Sequence, residues 1–378
     1  MTREPRHVPG DAPPPGAAGG LAGASGAAGG PVAGAPLAPR VLPGEDPAAV
    51  AEAAALLRAG ELVAFPTETV YGLGANALDA AAVARVFAAK DRPSFDPLIV
   101  HLADAAEVAD HAVPADAADP RVGLLADRFW PGPLTLVLRR RDHVPGIVTA
   151  GLPTVGLRVP DHPVARALIR AAGVPVAAPS ANRFGRVSPT RASHVVRGLG
   201  PRVRLVLDGG PCRVGVESTV VLLAEGRAAL LRPGGVPAEA IEAVIGPLAT
   251  PATGRAGTAA LAPGSAGTHY APGARVEIVD PFDPADRPRL VAKPGERLGL
   301  LAASAAGAAA ARAAGGPFAT VVVLAPDGDP VVVAARLFEA LHELDAAGLD
   351  RIAAQPVPAV GLGRAVMDRL RRAAVGGQ

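Results

Sequence analysis

Residues 65–101 decide the fold of this chain, and they read FPTETVYGLGANALDAAAVARVFAAKDRPSFDPLIVH. The apolar run at 62–65 is long enough to form a buried strand. Asp79 can cap a helix over 80–90, in which valine and phenylalanine recur at helical spacing. A second apolar run at 98–100 predicts another strand. Polar side chains follow both strands and end the helix, and such element ends are where α/β proteins gather their ligands.

The domain organisation follows from length and composition. A chain of 378 residues favours two domains rather than one. Residues 1–42 are rich in glycine, alanine and proline and predict a disordered tail. Strands and helices mix without strict alternation over 43–245, which predicts an α/β sheet of mixed direction. Residues 246–273 have the composition of a linker, and a second α/β pattern occupies 274–378.

Charge and cysteine content exclude several classes of protein. The 37 basic and 35 acidic residues nearly balance, so no general nucleic-acid surface is predicted, although a local basic pocket stays open. The single cysteine, Cys212, excludes an intramolecular disulfide and a multi-thiolate metal site, and we expect it to be a small buried hydrophobe. We expect no membrane span, no signal peptide and a cytoplasmic location, because strongly apolar runs of sufficient length are missing.

The motifs of several familiar enzyme classes are also missing. The chain contains no GxxxxGK[ST] loop, no HExxH helix and no GxSxG elbow. Gly72-x-Gly74 lacks the third glycine of a dinucleotide-binding turn, so it is a weak signal by itself. Standard P-loop, zinc hydrolase and serine hydrolase functions therefore have no support.

Cations and hydroxyls lie at the ends of the predicted elements. They are Lys90, Arg92, Arg158, Ser180, Asn182, Ser188, Ser218, Thr219 and Arg232. Four cations with several hydroxyls suit a polyanionic, phosphate-bearing ligand. Each also has a plain structural alternative: Lys90 and Arg92 could be cations favoured by a helix C-terminus, and His101 could be a core histidine. The residues alone leave both interpretations open.

Several segments, in their order along the chain, resemble the YrdC-type threonylcarbamoyl-AMP synthase family. Between about residues 60 and 234 they include FPTETVYGLG, PLIVH, WPGPLTLVL, APSAN, GVESTV and LLRPG. The pattern Lys-x-Arg at Lys90 and Arg92, followed by Ser-x-Asn at Ser180 and Asn182, is the signature of that family. The segment HYAP at 269–272 and the closing GLGRAVMDRL resemble the longer, two-domain form.

The resemblance implies a fold and a reaction. The implied fold is an α/β, YrdC-like twisted mixed sheet with a large basic cavity, followed by a smaller Rossmann-like C-terminal α/β domain. L-Threonine and bicarbonate would form N-carboxythreonine, whose carboxylate attacks the α-phosphate of ATP to give L-threonylcarbamoyl-AMP and pyrophosphate. The implied class is therefore a nucleotidyltransferase, with Mg²⁺ accompanying ATP. A separate threonylcarbamoyl transferase complex would then modify tRNA, and a weak direct contact with tRNA is left open.

The resemblance also implies roles for individual residues. The implied catalytic residues are Lys90, Arg92, Ser180 and Asn182. The implied L-threonine-binding residues are Thr69, His101, Arg158, Ala178 and Ser218. The implied ATP-binding residues are Lys90, Arg92, Asp96, Thr154, Ser180, Ser188, Arg232 and Tyr270. No side chain would be a covalent nucleophile or a metal ligand, and catalysis would consist of positioning and charge neutralisation.

Two departures from the family and two other functions bear on this hypothesis. Asp96 stands where the family commonly has asparagine, and the small residues 265–268 replace bulky and basic ones before HYAP. An RNA-binding accessory module using the same cavity would bind tRNA in a salt-sensitive way without turnover. A maturation-type carbamoyl transferase would need cysteine clusters, which a chain with one cysteine lacks.

Overall fold

Two separate β-sheets organise residues 38–249 and 269–375, which are the residues that this computed structural model describes. The larger sheet has ten strands. They are β1 (Arg40–Pro43), β2 (Val63–Phe65), β3 (Gly72–Asn76), β4 (Ile99–His101), β5 (Leu134–Arg139), β6 (Thr154–Arg158), β7 (Val176–Ala177), β8 (Leu205–Asp208), β9 (Thr219–Ala224) and β10 (Arg227–Arg232). Their order across the sheet is β1-β8-β2-β3-β7-β4-β6-β5-β9-β10. Parallel and antiparallel neighbours are mixed, which confirms the predicted fold class.

Helices cover this sheet along its length. They are α1 (Pro47–Arg58), α2 (Ala80–Lys90), α3 (Val108–His111), α4 (Pro114–Ala117), α5 (Pro120–Phe129), α6 (Pro163–Ala172), α7 (Ala192–Leu199) and α8 (Ala238–Ile245). The two caps predicted from sequence are present: the Asp46 carboxylate accepts from the N–H of Ala48, and Asp79 accepts from Ala81 and Ala82. These caps fix where α1 and α2 begin, because the first N–H groups of a helix have no partner inside it.

The first strand of the larger sheet begins earlier in the chain than the sequence predicts. The sequence predicts a disordered tail through residue 42, whereas Arg40–Pro43 forms β1 and pairs in parallel with β8. A mostly exposed edge strand of four residues carries no hydrophobic alternation, so its sequence gives no signal. The rest of the predicted tail, up to residue 37, lies outside the described residues.

The smaller sheet is entirely parallel. Its strands are β11 (Arg275–Ile278), β12 (Leu298–Ala302), β13 (Thr320–Val323) and β14 (Arg351–Ala354), in the order β11-β14-β12-β13. Helices α9 (Ala305–Ala314), α10 (Pro330–Ala346) and α11 (Leu362–Val375) complete this part. The second α/β pattern is therefore confirmed, although the sequence did not predict β14. Most of the predicted linker, residues 250–268, lies outside the described residues.

Packing rather than chemistry explains three residues that the sequence singled out. A Cβ on Gly74 would lie 2.7 Å from the Phe65 ring, so glycine is needed there for close packing and not for a nucleotide turn. The Tyr71 hydroxyl is buried and donates to the carbonyl of Gly210 at 2.8 Å. Cys212 is buried, as expected. No helix in the described ranges is long and apolar enough to cross a membrane.

Candidate functional site

A cavity lies where several strand ends of the larger sheet meet. Strands β4 and β6 are parallel, so His101 and Arg158 lie side by side at their carboxyl ends. Ser218 directly precedes β9, whose first residue pairs with the start of β5 beside β6. The lining comprises Thr67, Thr69, Val70, Gly72, Arg92, Ile99, His101, Arg158, Ala178, Pro179, Ser180, Glu217, Ser218, Arg232, His269 and Tyr270. Nine of the residues implied from sequence are thus brought together.

Arg158 anchors one end of the cavity. Its guanidinium forms a buried ion pair with Glu68 at 2.5 Å and donates to the hydroxyl of Thr69 at 3.1 Å. Its Nε donates to the carbonyl of Gly132 at 3.2 Å. A guanidinium held on three sides is fixed in orientation before any ligand arrives, which favours recognition of a planar anion.

His101 lies beside Arg158 and is only 3% exposed. Burial, reinforced by the charge of Arg158, lowers the pKa of His101 to about 3, so the imidazole is neutral at physiological pH. Its Nδ1 is buried and has no hydrogen-bond partner among the described residues. A buried polar atom without a partner is costly, and this one belongs to a cavity wall. His101 therefore places a buried, neutral imidazole on the cavity wall.

Two arginines supply positive charge elsewhere on the wall. Arg92 pairs with Asp96 at 2.9 Å and donates to the carbonyl of Pro97, also at 2.9 Å. Arg232 donates to the carbonyl and the hydroxyl of Ser218 at 2.9 and 3.2 Å. Both guanidinium groups are buried, so their charges act across a medium of low dielectric constant.

Lys90 lies behind the wall rather than on it. It is the last residue of α2 and is only 1% exposed. Its ammonium donates to the carbonyl of Ser180 at 2.5 Å and to that of Asn182. Burial, and then the charge of Arg92, hold the pKa of Lys90 well below its usual value. Lys90 thus ties the segment after β7 to α2, which a solvated cation at a helix end would not do.

Four more of the implied residues also lie off the main wall. Asp96 forms an ion pair with Arg92. The Asn182 amide donates to two carbonyls of its own loop at 2.8 Å each. Ser188 donates to Glu217 at 2.6 Å. Thr154 lines a narrow neighbouring depression, which shares Ile99 with the main cavity. Thr154 therefore lines the adjoining depression, whereas the other three residues hold parts of the cavity wall in place.

His269 and Tyr270 close the cavity. Tyr270 is buried and has a φ of 64°, a left-handed backbone conformation that is uncommon outside glycine. The next residue, Ala271, donates its N–H to the carbonyl of Gly185 at 2.8 Å. The Tyr270 ring also lies 5.4 Å from that of Phe338 in α10. The chain segment at 269–271 therefore forms a lid that touches both parts of the protein.

Some functional candidates were missed by sequence reasoning. Glu68 and Glu217 lie inside the segments FPTETVYGLG and GVESTV that carry the family resemblance, but neither was assigned a role. His269 belongs to the HYAP segment, in which only the tyrosine was assigned. Arg369 reaches Glu217 at 3.0 Å from α11, and no local pattern in the sequence marks it.

The fold and the site together define an α/β protein with a closed cavity suited to small anionic ligands. Residues 55–234 match the family model Sua5_yciO_yrdC, described as telomere recombination. Residues 236–375 match the model described as the C-terminal domain of threonylcarbamoyl-AMP synthase. This chain belongs to the Sua5/YciO/YrdC family, in its long two-domain form, as its sequence segments predicted.

Individual relatives agree over most of the chain. A threonylcarbamoyl-AMP synthase of Pyrococcus abyssi is 46% identical over 334 residues, covering 85% of this chain and 92% of the relative. One from Bacillus subtilis is 45% identical over 334 residues, covering 86% and 93%. The crystal structure of P. abyssi Sua5 complexed with L-threonine matches with a TM-score of 0.79 and 43% identity, covering 87% of this chain and 95% of that one.

Proposed function

We propose that this protein is an L-threonylcarbamoyladenylate synthase. It converts L-threonine, bicarbonate and ATP into L-threonylcarbamoyl-AMP, pyrophosphate and water, which makes it a nucleotidyltransferase. The observation that carries the proposal is the cavity itself, in which an arginine fixed for a carboxylate adjoins two further arginines suited to phosphate. Relatives that cover most of the chain bear the same enzyme name.

Arg158 is the proposed anchor for the threonine carboxylate. A guanidinium has five N–H donors, and three are used by Gly132, Thr69 and Glu68, which leaves 5 − 3 = 2. The remaining two lie one on each terminal nitrogen, and both can donate to a carboxylate. The unpartnered Nδ1 of His101 is the nearest candidate for a second contact. Thr69, Ala178 and Ser218 complete this end of the cavity.

ATP occupies the other end in this proposal. Arg92, Arg232 and Ser180 face the phosphates, and Tyr270 covers them. We place the base beside the depression at Thr154, whose lining is mostly apolar and includes Gly156. A Cβ at Gly156 would lie 3.2 Å from the Thr135 methyl group, so glycine keeps this slot open.

The supporting residues act by holding this arrangement. Lys90 fixes the backbone of Ser180 and Asn182, Asp96 fixes Arg92, and Ser188 is fixed through Glu217. In the proposed reaction the carbamate of N-carboxythreonine attacks the α-phosphate, and pyrophosphate leaves. The protein supplies orientation and charge rather than a nucleophile, as is usual for transfer at phosphorus.

Mg²⁺ is proposed to enter with ATP. No group of three or more His, Cys, Asp or Glu side chains within residues 38–249 and 269–375 is arranged to hold a metal ion. Glu217 is the one carboxylate in the cavity lining, and it already accepts from Ser188 and Arg369. Such a wall fits Mg²⁺ held mainly by substrate phosphates, where the ion neutralises their charge.

The product is proposed to pass to a separate threonylcarbamoyl transferase complex that modifies tRNA in the cytoplasm. The decisive assay measures pyrophosphate release from ATP with threonine and bicarbonate omitted in turn. We expect release only when both are present. Release without threonine would contradict the proposed reaction, and salt-sensitive tRNA binding with no pyrophosphate release under any condition would instead support the RNA-binding function.

A further inference from the structure

Arg369 is a polar contact by which the second α/β part of the protein reaches the cavity wall. Arg369 in α11 is 0% exposed. Its Nε donates to Glu217 at 3.0 Å, and its Nη1 donates to the carbonyl of Pro233 at 2.7 Å. Its guanidinium also lies 5.4 Å from the centre of the Tyr270 ring. One side chain thus touches the wall, the residue after Arg232 and the lid.

Glu217 connects Arg369 to the ligand site, because it pairs with Arg369 and also lines the cavity. It lines the cavity together with Arg92 and Arg232. Burial alone would raise the pKa of Glu217, but the charges of Arg369 and Arg232 and the Ser188 hydrogen bond together lower it below its usual value. The site therefore holds an ionised carboxylate on the wall that would face a polyphosphate.

An ionised carboxylate at that place needs a cation that is not part of the ligand site. Without one, it would repel the phosphates across a medium of low dielectric constant. Arg369 is fully buried, is absent from the cavity lining and pairs with both Glu217 and the neighbouring Asp368. It can therefore offset the charge of Glu217 without competing for the ligand. The hydroxyl of Ser188 is bonded to the other oxygen of the same carboxylate, at 2.6 Å. Orienting Glu217 therefore also orients Ser188.

We propose that Arg369 is a positioning residue for the nucleotide site, by which the C-terminal part of the chain neutralises and orients Glu217. The inference rests on the proposed function. It gives the C-terminal part a direct share in ATP binding. If Arg369 only supported the fold, its replacement would weaken ATP binding equally whether residue 217 is charged or neutral. If Arg369 neutralises Glu217, its replacement weakens ATP binding only while residue 217 is charged. That difference can be measured.

The test uses full-length protein and compares ATP affinity by calorimetry in Arg369→Gln, Glu217→Gln and the double variant. We expect Arg369→Gln to weaken ATP binding by about tenfold to a hundredfold, because it leaves a buried carboxylate unpaired beside the phosphates. Threonine affinity should change by less than about threefold, since Arg158 does not contact this pair. The double variant should recover ATP affinity to within about threefold of wild type.

Controls separate charge from folding. Arg371→Gln removes an exposed arginine from the same helix and should leave ATP affinity unchanged. Arg369→Lys keeps the charge but not the forked shape, so it should bind ATP better than Arg369→Gln. If Arg369→Gln fails to fold, the double variant and Arg369→Lys still decide the matter. Folded protein with a tenfold ATP defect in the double variant would overturn the inference.

The proposed function and the role of Arg369 can be refuted independently. A wild-type protein that releases no pyrophosphate with all three substrates refutes the proposed function. An active wild-type protein whose Arg369→Gln variant binds ATP normally refutes only the role of Arg369.

Discussion

Replacement of Arg158 by alanine should abolish most of the threonine affinity. In the proposed complex the two N–H groups left by Glu68, Thr69 and Gly132 bind the threonine carboxylate. Hydrogen bonds to charged groups contribute about 1.5–3 kcal/mol. Since both are lost together, we expect a loss of about 3 kcal/mol, which corresponds to a roughly 150-fold higher Kd for threonine.

The same change would also destabilise the fold, and the design must separate the two effects. Glu68 is only 1% exposed, and breaking a buried ion pair on one side costs about 3–5 kcal/mol of folding free energy. The double variant Glu68→Gln/Arg158→Ala removes the orphaned charge. It also keeps an amide oxygen at position 68 that can accept from the N–H of Asp161, which Glu68 does at 3.0 Å. Its stability should approach that of wild type while its threonine affinity stays low.

Calorimetric titration with L-threonine measures the loss directly, and titration with ATP in the same preparation serves as an internal control. Arg213→Ala is the matched control, because Arg213 is an exposed arginine paired with Asp161 at 2.7 Å. We expect it to leave both affinities unchanged. A folded Arg158→Ala variant with threonine affinity within threefold of wild type would refute the placement of the amino acid.

Three further predictions test the lid, the base slot and the buried histidines. Tyr270→Ala should weaken ATP binding more than threonine binding in paired titrations, because Tyr270 closes the phosphate end; the reverse order would refute its role as a lid. Gly156→Val should fill the slot beside Thr135 and raise the KM for ATP at least tenfold, which is roughly the effect of misplacing a substrate. An unchanged KM for ATP would mean that the base binds elsewhere. Burial, and then neighbouring cationic charge, lowers the pKa of His101 to about 3, whereas it is about 6.5 in the unfolded chain. The folded state therefore resists protonation, and the free energy of unfolding should fall between pH 6.5 and 3, by up to about 1.4 kcal/mol per pH unit for this group. Urea melts at pH 7.5 and 5.0 test this; His101→Gln should show a shallower fall, and identical slopes would contradict it.

Much of the fold follows from local patterns. The caps at Asp46 and Asp79 and the apolar runs before Pro66 and after Pro97 are short-range signals, and the structure has elements at each. Strand Gly72–Asn76 was missed because its two glycines weaken a strand pattern. The other missed strands, Arg40–Pro43 and Arg351–Ala354, are four residues long and gain their stability from parallel partners far along the chain. No window of sequence contains both members of such a pair.

The site was predictable to the extent that its residues sit in recognisable segments. Nine implied residues share one cavity, but Lys90 proved to hold the backbone of Ser180 and Asn182 rather than to line the wall. A lysine at a helix end gives no sign of which remote carbonyl it will meet. The role of a side chain as a ligand or as a support depends on a few ångströms, which residue type and order do not determine.

The buried carboxylates show why net charge misleads as a guide to this site. Each pairs with an arginine: Asp96 with Arg92 at 2.9 Å, Glu68 with Arg158 at 2.5 Å, and Glu217 with Arg369 at 3.0 Å. Such pairs contribute little net stability, because desolvation offsets most of their attraction. What Asp96 and Glu68 do provide is fixed orientation of the Arg92 and Arg158 guanidinium groups on the wall, and pre-oriented donors bind an anion without the cost of ordering side chains. The carboxylates that first look repulsive to phosphate are therefore the groups that prepare the wall to receive it.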